Sequence, residues 1–392
     1  MRETVIVSAA RTPFGTFGGA LKSLQAVDLG AIAIAEVVKR AGIAGSDVDQ
    51  VIMGQVLQGG CGQIPSRQAT MKAGLPQEVP SETLNKVCGS SLRAVSLADQ
   101  IIRAGDAEVI IAGGMESMSN APYVSMSQRW GQRMGNTTMA DLMIHDGLWC
   151  AFHNRHMAVH GGVVAKEYGV SREEQDQWAL RSQQRAAAAV ASGVLKEEIV
   201  PVTIKGKKGD TIIDTDEGPR PNSTIEALAK LSPLFDKENT VTAGNAPSTN
   251  DGASALLLMS REKAQSLNLK PIASIVGHAM VSAEPAYIAT VPALAGNKLL
   301  KKLRMTIHDI DLIEANEAFA AVTLVSGKIT GWDPEKVNVN GGAIAYGHPI
   351  GASGGRILMT LAYELRRRKL QYGMAAICSG GAQGDAMIIK CE

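Results

Sequence analysis

Apolar residues along this chain fall into short blocks separated by glycine-rich or charged turns. Residues 4–8, TVIVS, form a compact run that predicts a short buried strand. Between 27 and 41 the spacing lengthens, and Leu29, Ile32, Ile34, Val37 and Val38 give the broad apolar face of a helix. VDQVIMGQVL at 48–57 reads as a second strand. The stretch NKVCGSSLRAVSLADQIIRAGDAEVIIAGGMES then reads as a turn, a helix over 88–104 stopped near Gly105, a strand at 108–112 and a Gly-Gly turn. Strands alternating with helices predict an α/β layered fold with a mostly parallel core.

Residues 119–249 break the alternation and hold few long apolar runs, which predicts a large inserted subdomain. Its clearest element is a helix opened by a Ser171–Glu174 capping box and stopped by Gly193. From 251 the α/β pattern resumes with ASALLLMS (strand or buried helix), the strand PIASIVGHAM, a helix near 293–304 and the strand-like DLIE. The last segment, from VNVNGG onward, reads as strand, glycine-rich turn, helix, strand, Gly-Gly turn, strand. That order echoes the earlier one. Cys88-Gly89-Ser90-Ser91 leads a helix and then VIIAGG, whereas His348-Pro349-Ile350-Gly351 leads a helix and then AAICSGG. Two similar halves are expected, each presenting a reactive group near a helix start.

Composition narrows the function classes. With 392 residues, 45% apolar and 20% charged, the chain is long enough to bury sizeable cores. Its net charge of +1 gives no electrostatic case for nucleic acid or an anionic membrane as main partner. The five cysteines include no C-x-x-C pair, so free thiols in an intracellular protein are expected. The N-terminal apolar run is too short for a signal-peptide core and no run of 18 apolar residues occurs, so cytoplasmic residence is the expectation.

Four residues on glycine-rich turns carry candidate chemistry. Cys88 at a helix start faces the positive end of the helix dipole, which lowers a thiol pKa, and the N–H groups there suit an oxyanion. Cys378 stands at a strand end ahead of Ser379-Gly380-Gly381, where α/β proteins place their sites. His348 is flanked by Gly347 and Pro349, and Asn316 follows DLIE, where it serves either a water or carbonyl or simply a helix cap. Either cysteine alone is equally well a core residue. Together the four suggest acyl transfer through a thiolate.

Other motifs fail. Gly351-Ala352-Ser353-Gly354-Gly355 matches a nucleophile elbow, but no histidine follows Ser353 to complete a triad. His153, His156 and His160 have metal-like spacing without an H-E-x-x-H arrangement, so no metal is expected. Neither G-x-x-x-x-G-K-[ST] nor G-x-G-x-x-G occurs, which removes the P-loop and dinucleotide fingerprints.

Asn85-Lys86-Val87-Cys88-Gly89-Ser90, Asn316-Glu317-Ala318-Phe319, Gly341 to Pro349 (GGAIAYGHP) and Cys378-Ser379-Gly380 resemble, in order, the four signature blocks of thiolases. ARTPFG at the start, AGGMESMS at 112–119 and TAGNA at 242–246 extend the resemblance over essentially the whole chain. It implies a five-layered αβαβα fold of two similar halves with an inserted loop domain. The corresponding division is 1–118 plus 250–268, a loop domain at 119–249, and 269–392. It also implies a homo-oligomer, commonly a dimer of dimers, hence a homotetramer.

The implied chemistry is ping-pong interconversion of two acetyl-CoA with acetoacetyl-CoA plus CoA, as part of fatty acid metabolism. Coenzyme A is substrate and product, and no cofactor is bound permanently. Cys88 would take the acyl group, His348 would activate it, and Cys378 would move the α-carbon proton. Asn316 would hold a water in one oxyanion hole, with His348, and the N–H groups of Cys88 and Gly380 would form the other. Leu148, His156, Met157, Phe235, Ala318 and Phe319 would line the CoA cleft. Arg220, Leu231, Ala243 and Ser248 would extend it, with Arg220 supplying charge for a phosphate.

Departures from the family pattern fall at Ser91, Ala246-Pro247-Ser248, Ile288, Ala382 and Asp385, and bear on acyl preference and CoA affinity. Three alternatives remain at this level. They are a degradative thiolase preferring longer 3-ketoacyl-CoA, a ketoacyl-synthase-type condensing enzyme (against which Cys378 argues), and a non-catalytic CoA or lipid carrier.

Overall fold

The computed structural model describes residues 2–392. In chain order the first half consists of β1 (Thr4–Arg11), α1 (Ala26–Ala41), β2 (Gln50–Gly54), α2 (Pro65–Lys72), β3 (Ser81–Leu84), α3 (Ser90–Ala104) and β4 (Val109–Ser117). The inserted stretch carries α4 (Met157–Glu167) and α5 (Arg172–Ser192). Then follow β5 (Asn250–Ser260), β6 (Ala273–Ser282), α6 (Val291–Leu303), β7 (Leu312–Ala315), α7 (Ala320–Thr330), α8 (Ser353–Arg368), β8 (Tyr372–Ser379) and β9 (Gln383–Cys391).

Local chemistry sets the helix ends. Gly105 and Gly193 close α3 and α5 in the left-handed region, at φ 89° and 74°. Ser171 Oγ accepts the Glu174 N–H at 3.1 Å while the Glu174 carboxylate accepts the Ser171 N–H at 2.6 Å, so the capping box is formed.

One ten-stranded sheet runs in the order β7-β8-β9-β6-β1-β5-β4-β2-β3, with Gly15–Thr16 as a short extra strand on β5. The two halves meet at a narrow seam, where β1 touches β6 only through Val5↔Ser274 and Ile6↔Ala273. On either side of the seam the pairing repeats as antiparallel, antiparallel, parallel. Where β3 pairs with β2, the second half has only an Ile313↔Val337 bridge. VNVN is therefore not a full strand.

The expectation of a mostly parallel core is corrected by this sheet, in which only β2–β3, β2–β4 and β7–β8 are parallel. ASALLLMS is part of the strand β5 rather than a helix. Its residues are buried throughout, as in a parallel strand, because helices cover both faces of the sheet.

Helices α3 and α8 form the middle layer. Leu92, Val95 and Ile102 of α3 and Ile357, Leu358 and Leu361 of α8 share one core with Ile110, Leu256, Ile377 and Ile389 of the strands. Each such buried side chain contributes about 1.5–3 kcal/mol. Helix α1 covers the first half from outside through Leu29, Ile34 and Val37, and α6 covers the second through Leu299 and Leu300. The result is five layers, helix–sheet–helix–sheet–helix. Part of the inserted stretch is tied to β1 by a buried fork: Arg11 holds Asp216 at 2.6 and 2.8 Å and Glu198 at 2.7 Å. Among the described residues, no helix is long and apolar enough to cross a membrane.

Candidate active site

Cys88 lies on the turn that links β3 to α3. It sits two residues ahead of the helix, with Gly89 as the N-cap, and not inside it as expected. The turn is forced. Val87 adopts φ 45°, a left-handed conformation unfavourable to a β-branched residue. Hydrogen bonds hold it: Val87 N–H donates to Asn85 Oδ1 (2.9 Å), Ser90 Oγ–H donates to the Val87 carbonyl (2.6 Å), and Lys86 N–H donates to Ser90 Oγ (2.8 Å). This strain presents the sulfur to a cavity of about 240 Å³ whose lining is largely apolar and includes Cys88, His348 and Gly380.

The expected lowering of the Cys88 pKa is overturned. Burial pushes the thiol up to about 12, outweighing the N–H groups of Cys88 and Gly380 that point at the sulfur. Cys378, at the end of β8, is fully buried behind the cavity lining. Its thiol also lies well above its ordinary value, through burial and then the neighbouring Cys88 sulfur. Both thiols are neutral at rest.

His348 rests on a fixed frame. Its N–H donates to Asn250 Oδ1 at 2.8 Å. Gly347 passes so close to Asn250, at φ 100°, that a Cβ would lie 2.3 Å from the amide carbon. Only glycine fits there. Ser353 Oγ donates to the Pro349 carbonyl (2.9 Å), so it accepts from His348 Nδ1 (2.6 Å). That assignment puts the ring proton on Nδ1 and leaves Nε2 bare, 3.5 Å from Asn316 Nδ2. Burial, then the Arg356 charge, lowers the His348 pKa to about 3. The imidazole is neutral at rest, and burial opposes its protonation.

Asn316 is no helix cap, since α7 begins at Ala320 with Phe319 as N-cap. Its Oδ1 is buried without a protein partner. Glu317 anchors the turn beside it by accepting from Trp178 Nε1 (2.9 Å), Ser182 Oγ (2.8 Å), Asn338 Nδ2 (2.9 Å) and the Ile344 N–H (3.0 Å).

Comparison with known proteins gives the family. The family description "Thiolase, N-terminal domain" matches residues 4–262, and "Thiolase, C-terminal domain" matches residues 269–391. The chain belongs to the thiolase family. It is 52% identical over 387 residues to an acetyl-CoA acetyltransferase of Thiocystis violacea, covering 98% of each chain. It is 50% identical over 391 residues to one of Cupriavidus necator, covering 100% of each. It is also 48% identical over 390 residues to a probable acetyl-CoA acetyltransferase of Escherichia coli, covering 100% of this chain and 99% of that one.

In this thiolase the candidate binding residues divide between two adjoining chambers. Leu148, His156, Met157, Phe235, Ser248, Ala318 and Phe319 line the cavity that holds Cys88. Arg220, Leu231 and Ala243 line a second, more polar chamber of about 360 Å³. Ala246 and Ser248 belong to both. Asn316 and Cys378 lie behind the first chamber and not on its wall. His156 stacks on Phe235 with ring centres 3.9 Å apart, and its Nδ1 accepts the Ala158 N–H, capping α4. Among the described residues, no three His, Cys, Asp or Glu side chains are grouped to hold a metal.

Several residues of the site were given no role by the sequence. Ser353 and Asn250 orient His348, and Glu116 holds the following loop by accepting from the Gly351 N–H at 2.9 Å. Two departures have visible uses: Ser91 Oγ accepts the Gly355 N–H (2.8 Å), and Asp385 pairs with Lys86. Ser248 spends its hydroxyl on Asn250 Oδ1 at 3.1 Å.

Proposed function

We propose that this thiolase interconverts two acetyl-CoA with acetoacetyl-CoA plus CoA, through an acetyl group carried on Cys88. The observation that carries the reading is the convergence of Cys88, His348 and Gly380 on one apolar cavity, with Cys378 buried behind it. The names of the full-length relatives support the acetyl substrate and do not favour the degradative, longer-chain alternative.

The proton inventory closes. Cys88 Sγ attacks the thioester carbonyl as its proton passes to the bare Nε2 of His348. The carbon–sulfur bond to CoA breaks, and the departing sulfur takes the Cys378 proton. That leaves acetyl-Cys88, a Cys378 thiolate and a protonated His348. Once a second acetyl-CoA enters, Cys378 removes its α-proton and the carbanion attacks the acetyl carbonyl. The bond to Cys88 then breaks, and His348 returns its proton to that sulfur. Charge that develops on the substrate oxygens meets preorganised donors: a water held by Asn316 together with His348 at one oxygen, the N–H groups of Cys88 and Gly380 at the other.

The second chamber suits the nucleotide end of CoA. Exposed Arg220, with Asn222, Ser223 and Thr224 around it, offers donors to phosphate, while the first chamber takes the pantetheine arm. Homotetramer assembly belongs to the same reading. Its support is the arm at 123–141, whose short strands pair with each other and which leaves Tyr123, Met126, Trp130, Met134 and Met139 exposed. Cytoplasmic residence, supported by the free state of the five cysteines, and a place in fatty acid metabolism complete the reading.

The test is CoA-dependent thiolysis of 3-ketoacyl-CoA substrates of increasing length. Activity confined to acetoacetyl-CoA is expected. A broad profile would move the reading to the longer-chain alternative, and CoA binding without thiolysis would leave only a carrier.

A further inference from the structure

We propose that Lys86, Ser379 and Asp385 form a clamp that fixes the two sulfur-bearing loops against each other, and so act as positioning residues for the step that needs both cysteines. The inference rests on the acyl-transfer reading above.

Lys86 Nζ donates to both oxygens of Asp385, at 2.8 and 2.7 Å. The pair is largely dry, with the two side chains 14% and 4% exposed. Beside it, Ser379 Oγ accepts the Gly89 N–H at 2.6 Å and donates to the Lys86 carbonyl at 2.8 Å. The contacts therefore take hold on both sides of Cys88, at 86 and 89. On the other loop they start from Ser379, next to Cys378, and from Asp385, which pairs with Ile377 across β8 and β9. The fit is close. A Cβ on Gly89 would stand 2.7 Å from Ser379 Oγ and 2.9 Å from the Asp385 carboxylate.

Stability does not explain such a pair. A buried ion pair loses solvation that its attraction barely recovers, and apolar residues of similar volume commonly do as well or better. Register does explain it. The Cys88 turn is strained at Val87, and its link to the other sulfur loop runs through these contacts and the Gly380 N–H. His348 is held independently by Asn250 and Ser353. Loosening the clamp thus leaves the Cys88–His348 pair in place but lets Cys378 and Gly380 drift from the acetyl group. A drift near 1 Å costs up to about 100-fold in rate.

The experiment compares wild type, Asp385→Ala and the double variant Lys86→Met/Asp385→Leu. The single variant strands a buried ammonium and is expected to lose both Tm and activity. The double variant removes both charges and is expected to regain Tm. Its acetoacetyl-CoA thiolysis should stay about 10- to 100-fold below wild type in kcat, with KM within about twofold. Alkylation of Cys88 by iodoacetamide, which does not need Cys378, should fall far less than kcat does. Hydrogen exchange at the Gly89 amide should quicken. Recovery of kcat along with Tm would make the pair merely structural and overturn the proposal. So would a rise in KM at unchanged kcat, which would assign the pair to CoA binding. A wild-type enzyme without thiolysis would overturn the acyl-transfer reading instead, while the Gly89 exchange would still report whether the two loops are coupled.

Discussion

Strands β4 and β8 occupy equivalent places in the two halves. Each runs parallel to one neighbour and antiparallel to the next, with Gly54 opposite Gly114 in one half and Ala315 opposite Ala376 in the other. Two residues beyond those positions stand Glu116 and Cys378, both fully buried. From this shared place their chemistry diverges. The Glu116 carboxylate accepts the N–H groups of Val56 (3.1 Å), Leu57 (3.0 Å) and Gly351 (2.9 Å). The Cys378 sulfur meets its own N–H and the neighbouring Cys88 sulfur. One strand end is tied down, and the other keeps the thiol to which the proposed mechanism gives the proton transfer. The tied strand end also supports the second half, because Glu116 holds Gly351 of the loop that carries His348. A duplicated backbone therefore supplies equivalent positions, and the local set of donors decides which of them does chemistry.

The largest effect should fall on the sulfur side of this contrast. Cys88→Ala and Cys378→Ala are each expected to lower kcat about 1,000-fold or more, with little change in the denaturation midpoint. Iodoacetamide should still label Cys88 in the second variant. If Cys378→Ala retained thiolysis, the free strand end would have no chemical role and the contrast would collapse.

Glu116→Ala should show the opposite pattern. It strands three buried N–H groups, and a loss of about 3 kcal/mol in unfolding free energy is expected from urea titration. The rate of Cys88 alkylation in the folded protein should change far less. A variant of wild-type stability but without activity would bring Glu116 into the chemistry. A smaller effect belongs to Asn316→Ala, where loss of one oxyanion partner should cost about 100-fold in kcat with KM nearly unchanged.

The same contrast marks how far the sequence could be read. Cys88, His348 and Cys378 stood out because glycines beside them mark backbone turns, and Asn316 because it follows the strand-like DLIE; both signals are local. Gly105 and Gly193 as helix stops and the Ser171 box were legible for the same reason. The role of Glu116 was not legible, since its partners lie 59, 60 and 235 residues away. Asp385 was visible only as an oddity, 299 residues from Lys86. Strand direction was misread because strands buried on both faces look alike in either orientation. The Cys88 pKa was misread because a helix start is written in the sequence, whereas the depth of burial that outweighs it is not. The division of the binding residues into two chambers depends on how 119–249 folds back over both halves, and no local pattern encodes that.

The smallest effect is one of pH, and it sets His156 against Glu116. Burial lowers the His156 pKa from 6.5 to about 4, so between those values the unfolded chain binds a proton that the folded chain refuses. Stability is lost as pH falls through that window. Burial raises the Glu116 pKa from 4.5 to about 7, so there the folded chain holds a proton that the unfolded chain has released. Its contribution improves as pH falls. The two oppose each other over much of the same range, and the wild-type curve alone separates neither. His156→Asn does separate them, because asparagine keeps an acceptor for the Ala158 N–H at the start of α4 while removing the titration. Unfolding free energies at pH 7 and pH 5 should show a drop that is about 1–2 kcal/mol smaller in the variant than in wild type. Equal drops would mean that the ring takes up its proton in the folded state, and would remove His156 from the dry wall that faces Cys88.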